Sequence, residues 1–448
     1  MASTSRRALL TATASSLAAS LASRASRATG RTPFGGRLSL HAPWPLTSID
    51  PHRIDDAAAA IFGDAIFDTL YARDATGAFV PALAEDEPEA TGSALRVSLR
   101  TGLRFASGVA LDGRAAAASL ARARSRDASA WLAEVPPPRA EKNALVFAMR
   151  DAHKLVRALA SPLVAVVPPR FSPERPEGTG PLRADLQPGG LVLARNTLAA
   201  QGPSFLDAID ARHASDLVTS LRAFESGADD IGWLGAFLHE PRQGAKGFDA
   251  GAVAWAVLRT GRDAANLDVP GTAQALADGV PHAALAPLVV GPPWSAGASS
   301  AATWTGPPCD LLVRDDSPWL VEVARSVAVA LSSASHEVTV RQTPAPDLAT
   351  RRSARAFTLM LDVARPAGPG SLGALVGLAT ADDPAIAGAV ARHPPRADIA
   401  PRVAARTMRI GVIGEIRVQG GRAADVVLPA SPWGRGIDWG SAYRARTV

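Results

Sequence analysis

Short apolar stretches alternate with amphipathic ones along most of this chain, from residue 37 towards the C-terminus. Apolar residues at every second position are typical of strands, and apolar residues at every third or fourth position are typical of helices. The predicted strands are 37–40, 191–195, 208–213, 231–234, 311–313, 337–341, 357–361, 408–418 and 424–429, with helices predicted at 113–124, 216–226, 318–334 and 346–352. Strands that alternate with helices in this way indicate an α/β fold.

Three other segments give local predictions. Asp55 or Asp56 can cap a helix over 57–71, where apolar residues recur at helical spacing. A Thr-Gly pair in the middle of 95–105 predicts a hairpin turn between two short strands. The segment 171–190 is rich in proline and glycine, which predicts a loop.

The positive charge of the chain is concentrated at its N-terminus. The chain has 47 Lys and Arg against 42 Asp and Glu, a net charge of +5. Arg6, Arg7, Arg24 and Arg27 all lie in the first 30 residues, which contain no acid, so the rest of the chain is close to neutral. No basic block remains that could follow a phosphate backbone, and we therefore expect no nucleic-acid partner.

Cysteine usage and hydropathy narrow the class of protein further. Cys309 is the only cysteine, so an internal disulfide is excluded. No apolar run reaches the roughly 18 residues of a membrane-spanning helix. We expect a soluble, monomeric protein held together by its hydrophobic core.

The first residues predict export. The motif S-R-R-A-L-L at 5–10 precedes a mildly apolar run over 8–22, which is too short and too polar for a stable membrane anchor. Small residues that follow offer cleavage sites, and the whole resembles a twin-arginine translocation signal. We therefore predict that 1–30 is a signal peptide with its linker and that the mature protein is periplasmic. A disordered Arg/Ser-rich tail is the alternative.

Seven short motifs occur in the order known from one family. They are 49–52 (I-D-P-H), 66–71 (I-F-D-T-L-Y), 80–84 (V-P-A-L-A), 99–108 (L-R-T-G-L-R-F-A-S-G), 178–181 (G-T-G-P), 196–206 and 223–231 (A-F-E-S-G-A-D-D-I). In this order they resemble the extracytoplasmic solute-binding proteins, family 5, of the peptide/nickel/opine class of ABC importers. Each fragment alone carries little information, and their common order carries the resemblance.

The resemblance implies a bilobal fold of periplasmic-binding-protein type II, in the large cluster with an extra subdomain in lobe I. Lobe I would combine 35–255 with 405–448 and carry an inserted subdomain at 72–165, and lobe II would be 256–404. Such a protein captures a peptide-like or other small organic solute in the cleft between its lobes and delivers it to a membrane permease. It needs no cofactor and performs no catalysis.

Five residues are candidates for ligand binding. Trp44, Trp233 and Trp255 lie at or near predicted strands of lobe I, and aromatic faces commonly line clefts for organic ligands. Asp362 and Arg365 follow the strand at 357–361, where many peptide-binding relatives place an acid that holds the ligand's amino terminus. A guanidinium at this place would instead pair with a carboxylate or phosphate.

An exported cofactor-binding enzyme and a ligand-sensing protein without a transport role are the alternatives. The only cofactor motif is G-P-G-S-L-G at 368–373, in which a proline removes one of the N–H donors that a dinucleotide site needs. No histidine pair has zinc-protease spacing and no G-x-S-x-G occurs, so no catalytic or metal-binding residue is assigned. We interpret 368–373 as a loop that leads into a helix.

Overall fold

A computed structural model gives the structure of the chain. It describes residues 33–42, 44–214, 216–233, 242, 244–281, 285, 302–396 and 398–445. The predicted twin-arginine signal, 1–30, lies outside the described residues.

Strands occur along the whole described part of the chain, with helices between many of them. They are β1 (Arg37–Ala42), β2 (Tyr71–Arg73), β3 (Phe79–Pro81), β4 (Glu89–Thr91), β5 (Ala94–Ser98), β6 (Arg139–Ala140), β7 (Ala144–Phe147), β8 (Leu182–Gln187), β9 (Gly190–Arg195), β10 (Ala208–His213), β11 (Ile231–Trp233), β12 (Lys246–Thr260), β13 (Cys309–Arg314), β14 (Val338–Thr343), β15 (Leu359–Ala364), β16 (Ile410–Arg422), β17 (Val426–Val427) and β18 (Tyr443–Arg444).

The helices lie between these strands, as the alternating pattern predicts. They are α1 (Ala57–Ile66), α2 (Gly113–Ser125), α3 (Ala152–Leu159), α4 (Leu217–Glu225), α5 (Thr272–Gly279), α6 (Pro318–Leu331), α7 (Ala345–Ser353), α8 (Gly370–Asp382), α9 (Pro384–Arg392) and α10 (Pro401–Ala405). Short 3-10 helices cover Pro162–Val164 and Arg262–Leu267. The α/β class predicted from the sequence is confirmed.

One large sheet contains ten of the strands, in the order β14-β13-β15-β12-β16-β11-β1-β10-β9-β8. At one end β13 runs parallel to β14 and β15, and at the other β1 runs parallel to β10 and β11. The long strands β12 and β16 pair antiparallel with each other between these two sets. Since β12 also pairs with β15, and β16 with β11, these two strands join the two parallel sets.

A second sheet forms a separate unit in the first half of the chain. Its order is β4-β5-β7-β6, all antiparallel. Leu95, Val97 and Phe147 from this sheet pack with Leu120 of α2 in a core of fully buried side chains. This unit lies within the segment predicted to be an inserted subdomain.

Aspartates cap several helices, among them α1 and α2, whose starts the sequence predicts. The Asp56, Asp112 and Asp151 carboxylates accept hydrogen bonds from the backbone N–H groups three residues ahead, at 2.8, 2.9 and 2.8 Å. An N-cap of this kind satisfies a donor that has no partner inside the helix. None of the helices that the structure describes has the length and apolar character needed to cross a bilayer.

Three local predictions are wrong in part. The helix predicted over 57–71 ends at Ile66, whose carbonyl accepts from Gly180 N at 2.9 Å, and β2 follows. The predicted hairpin at 95–105 does not form, because β5 pairs with β4 and β7 instead. The predicted loop at 171–190 contains β8, which ends at the turn formed by Pro188 and Gly189 and pairs with β9 beyond it.

Candidate ligand cavity

The carboxyl ends of parallel strands from both sets face one crevice. His213, the last residue of β10, is close enough to Asp316, just beyond β13, for the Asp316 charge to act on its pKa. Arg314 ends β13 and interacts with Asp55 and Asp56, which lie in the segment after β1. In open α/β sheets, ligands bind in the crevice outside the carboxyl ends of the strands. The topology therefore locates the candidate site before any side chain is considered.

A cavity of about 380 Å³ occupies this crevice. Its lining comes from the segment after β1 and the start of α1, from the chain near α2 and 173–174, and from β13 and α7 at the other end of the sheet. The lining residues are Pro45, Thr47, Ser48, Asp50, Arg53, Asp55, Asp56, Ala57, Ala58, Arg126, Pro173, Glu174, Arg314, Ala345 and Ala349. The volume lies in the range typical of small-molecule sites. We call this space the strand-end cavity.

Asp56 fixes the inner wall of the strand-end cavity. Its Oδ1 accepts from Ala59 N at 2.8 Å as the cap of α1, and its Oδ2 accepts from Asp50 N at 2.7 Å. Burial raises the pKa of Asp56 to about 6, against the opposing effect of these two hydrogen bonds. Both oxygens of the Asp56 carboxylate therefore accept hydrogen bonds from backbone N–H groups.

Asp50 and His52, from the I-D-P-H motif, are held by Arg122 of α2. Arg122 donates to both Asp50 oxygens, at 2.9 and 2.8 Å, and to His52 Nδ1 at 2.7 Å. His52 Nε2 lies 2.8 Å from the carbonyl oxygen of Ala165, which can only accept, so Nε2 carries the proton and Nδ1 accepts from Arg122. Burial lowers the pKa of His52 to about 4, so the imidazole is neutral at pH 7.

Asp55 belongs to a buried chain of alternating charges. Arg352 of α7 bridges Asp55 and Asp362, donating to Asp362 Oδ2 at 2.8 Å, and Arg259 of β12 lies 3.4 Å from the same oxygen. On the other side, Arg53 Nε lies 3.2 Å from Asp55. Burial works to raise the pKa of Asp55, but the Arg352 and Arg53 guanidiniums outweigh it and hold that pKa well below its usual value. The chain ties the segment after β1 to β15 and α7.

Arg365 holds the same segment by main-chain contacts. Its backbone N–H donates to Ile54 O at 2.9 Å, its Nε donates to Arg53 O at 2.8 Å, and its Nη2 donates to the carbonyl of Pro51. The side chain is buried, which lowers its pKa, although Asp56 and neighbouring acids oppose this effect. At least two of its donors are thus directed at carbonyl oxygens of the protein.

Asp362 lies in β15 and Arg365 directly follows this strand, but their side chains have different partners, and the three predicted tryptophans lie on or near different strands. Trp44 follows β1 and packs on Trp319 of α6 with 4.7 Å between ring centroids. Trp255 is buried within β12, opposite Ala364 of β15. Trp233 ends β11, and its side chain lies outside the described part of the chain. The ligand-binding roles of all five residues stay predictions.

Sequence reasoning missed Arg314 and Arg352. Both occur in stretches without a motif, and the contact of Arg352 with Asp55 joins residues that are distant in sequence. The signal that could have found Arg314 is its place at the carboxyl end of a predicted strand in a parallel sheet.

A second cavity, of about 420 Å³, lies on the far side of α1. Its lining includes Phe67, Asp64 and Asp68 at the end of α1, Trp433 of the C-terminal segment, and Arg365. Burial raises the pKa of both Asp64 and Asp68 to about 6. Arg365 is the one residue of this lining that comes from the β13–β15 end of the sheet, so we take the strand-end cavity as the candidate site.

The glycine motif at 368–373 is explained by packing. A Cβ at Gly368 would lie 2.5 Å from the ring of Trp131, and one at Gly373 would lie 1.9 Å from the Gly368 carbonyl oxygen. The glycines therefore allow α8, which begins at Gly370, to approach its neighbours closely. Within the described residues, no group of three or more His, Cys, Asp or Glu side chains is placed to hold a metal ion.

Comparison with solved structures identifies the fold. The chain is similar to NikA from Staphylococcus aureus in complex with Ni(L-His)2, at 16% identity over 91% of this chain and 100% of that chain, with a TM-score of 0.64. It is similar to the ABC transporter-associated periplasmic binding protein DppA from Helicobacter pylori in complex with the peptide STSA, at 14% identity, 92% and 99% coverage and a TM-score of 0.67. It is also similar to the oligopeptide-binding protein AppA from Bacillus subtilis in complex with a nonapeptide, at 12% identity, 93% and 100% coverage and a TM-score of 0.66.

No protein-family model and no curated protein matches the sequence. The identities to the solved structures are low, and these likenesses define the fold alone. The chain has the periplasmic-binding-protein fold of type II, with a large curled sheet, as the sequence predicts.

Proposed function

We propose that this protein is the extracytoplasmic substrate-binding component of an ABC importer, similar to family 5 solute-binding proteins. It captures a peptide-like or other small organic solute in the strand-end cavity. The observation that carries this proposal is the cavity itself, which is lined by residues from both ends of the sheet and lies where parallel strands end. The fold shared with binding proteins for peptides and for a nickel complex supports it.

We also propose that the chain is divided into two lobes. Lobe I comprises 35–255 and 405–448, with 72–165 as its inserted subdomain, and lobe II comprises 256–404. Long antiparallel strands that connect two parallel sets are suited to act as a hinge, because a small change of twist along them moves the sets as bodies. A solute that contacts both lobes then favours the closed arrangement by its differential affinity.

The five predicted residues take different parts in this proposal. Arg365 and Asp362 lie where lobe II meets the segment after β1, so they act on closure and on the wall of the site. Trp44 and Trp319 bring an aromatic contact from each lobe to the same interface. Trp255 belongs to β12, one of the two hinge strands, and Trp233 to β11, which pairs with the other.

We further propose that the protein is exported and that it delivers its solute to a permease. The twin-arginine signal at 1–30 directs the chain to the periplasm and is cleaved, and the mature monomer delivers its solute to a membrane permease. Capture and release require no covalent chemistry, so the protein is not an enzyme and needs no cofactor.

Native mass spectrometry of the exported protein, incubated with a small-molecule extract of its source cells, tests this function. Wild-type protein is expected to carry a bound solute. Ala349→Trp places a large side chain in the cavity wall and should abolish the adduct. Thr350→Trp, on the exposed face of the same helix, is the matched control and should retain it. Equal occupancy in both variants, or no adduct in wild type, would contradict the proposal.

A further inference from the structure

Two acids of the strand-end cavity, Asp50 and Asp55, already hold positive partners within the protein. The Asp50 carboxylate accepts hydrogen bonds from both terminal nitrogens of Arg122, at 2.9 and 2.8 Å. Asp55 pairs with Arg352 and with Arg53. An incoming cation would have to compete with guanidiniums that are fixed in place by these paired contacts.

The other inner charges have partners within the protein as well. Arg314 donates to both oxygens of Asp316, at 2.5 and 2.7 Å. Arg53 lies between Asp55 and Asp127, at 3.2 and 3.5 Å. The Asp56 carboxylate accepts two backbone N–H groups. An anionic ligand therefore meets no inner cation without a carboxylate partner.

Two charged residues at the rim complete the lining. Glu174 and Arg126 are both exposed to solvent, and Glu174 accepts from the Ser172 hydroxyl at 2.5 Å. Charges of opposite sign that remain hydrated contribute little to the binding of an ion. Each inner charge of the lining therefore already has an ion-pair or hydrogen-bond partner within the protein.

The groups that remain available are hydroxyls and small apolar surfaces. Among the described residues, neither the Thr47 nor the Ser48 side chain takes part in a hydrogen bond, and both residues line the cavity, Thr47 exposed and Ser48 half-buried. Ala345 and Ala349 of α7, whose side chains are methyl groups, line the same cavity. Hydroxyls can both donate and accept, and methyl groups pack on C–H faces, so this lining suits a ligand with the same two kinds of surface.

We propose that the strand-end cavity takes an uncharged, hydroxyl-rich solute, of the size of a mono- or disaccharide. This inference rests on the proposed function and names the class of its substrate. The Thr47 and Ser48 hydroxyls bind the solute's hydroxyl groups, and the ion pairs around them serve to shape the wall. Binding is consequently insensitive to salt, because no ion pair forms between protein and ligand.

Isothermal titration calorimetry on the mature protein tests the class with five probes: glucose, cellobiose, alanyl-alanine, glutarate and putrescine. A neutral saccharide is expected to bind most tightly, with a Kd that changes less than about twofold between about 50 and 500 mM NaCl. Thr47→Val with Ser48→Ala should weaken binding by at least about fivefold. The control Thr91→Val, at an exposed position in β4, should leave it within about twofold.

The outcomes separate this inference from the function on which it rests. If alanyl-alanine, glutarate or putrescine binds more tightly than the saccharides and protects 45–58 from hydrogen exchange, the solute is not a neutral saccharide. Solute capture in the strand-end cavity would then still hold. No heat with either saccharide also overturns the neutral class. If the double variant binds saccharide as tightly as wild type, the assignment of binding to Thr47 and Ser48 is overturned.

Discussion

Arg365 donates from Nε to the carbonyl oxygen of Arg53 at 2.8 Å, so the residue that follows β15 holds the segment that follows β1. The same side chain also donates to Pro51, and its backbone N–H to Ile54. These contacts join the carboxyl ends of strands from the two parallel sets. We call this contact between the two parallel sets the junction.

Replacing Arg365 should destabilise the protein. Arg365→Met leaves the buried carbonyls of Pro51 and Arg53 without donors, and hydrogen bonds from charged groups contribute about 1.5–3 kcal/mol each. We expect a loss of about 2–4 kcal/mol in the free energy of unfolding, measured by urea denaturation. Arg365→Lys retains one charged donor and should lose less. A loss below about 0.5 kcal/mol in Arg365→Met would show that the contacts do not form.

The Asp55–Arg352 ion pair should show strong coupling. A double-mutant cycle with Asp55→Asn and Arg352→Gln is expected to give about 1–3 kcal/mol, because the pair is largely removed from solvent and shares Asp362. The exposed pair Glu322–Arg325 of α6 is the control, with an expected coupling below about 0.5 kcal/mol. Equal coupling in the two cycles would contradict a buried charge chain across the junction.

His52 should make stability depend on pH. Its pKa is lowered to about 4 in the folded protein, from an ordinary value of 6.5. Between these values the unfolded chain binds a proton that the native state does not, so the contribution of His52 is present above pH 6.5 and is lost as the pH falls towards 4. The stability advantage of wild type over His52→Gln should shrink by about 1–3 kcal/mol over this window. Parallel stability curves for the two proteins would rule this out.

Gly368 should tolerate no side chain. Its Cβ would overlap the buried Trp131 ring, and forced overpacking of this kind costs about 1–3 kcal/mol. We expect that loss for Gly368→Ala in thermal or chemical unfolding. Gly63→Ala, in the middle of α1 with open space around it, should be neutral or stabilising by up to about 1 kcal/mol. A Gly368→Ala protein as stable as wild type would remove the packing explanation of the motif.

Export should depend on the arginine pair. Changing Arg6 and Arg7 together to Lys is expected to block accumulation of processed protein in the periplasm, measured by fractionation and immunoblotting. A single change at Arg24, beyond the apolar run, is the control and should leave export intact. Normal processing of the double variant would indicate a general secretory route.

The sequence predicts features that depend on neighbouring residues and misses those that depend on distant ones. The start of α1 is predictable because Asp56 caps it from within the same turn. Its end is not, because Gly180, far along the chain, binds the Ile66 carbonyl there. In the same way the place of Arg365 directly after a strand is predictable, although Asp362, predicted to follow that strand, lies within it. Arg352 has no local signal, because its role comes from Asp55, which approaches only in the folded chain.

Hydrogen–deuterium exchange of the mature protein, with and without the solute identified by mass spectrometry, tests the central claim most directly. The account predicts slower exchange on binding in 45–58 and in 343–353, the segments that line the strand-end cavity from the two ends of the sheet, with no change in 89–98 of the inserted subdomain. Unchanged exchange in 45–58 and 343–353, or protection confined to 431–441 at the second cavity, would contradict it.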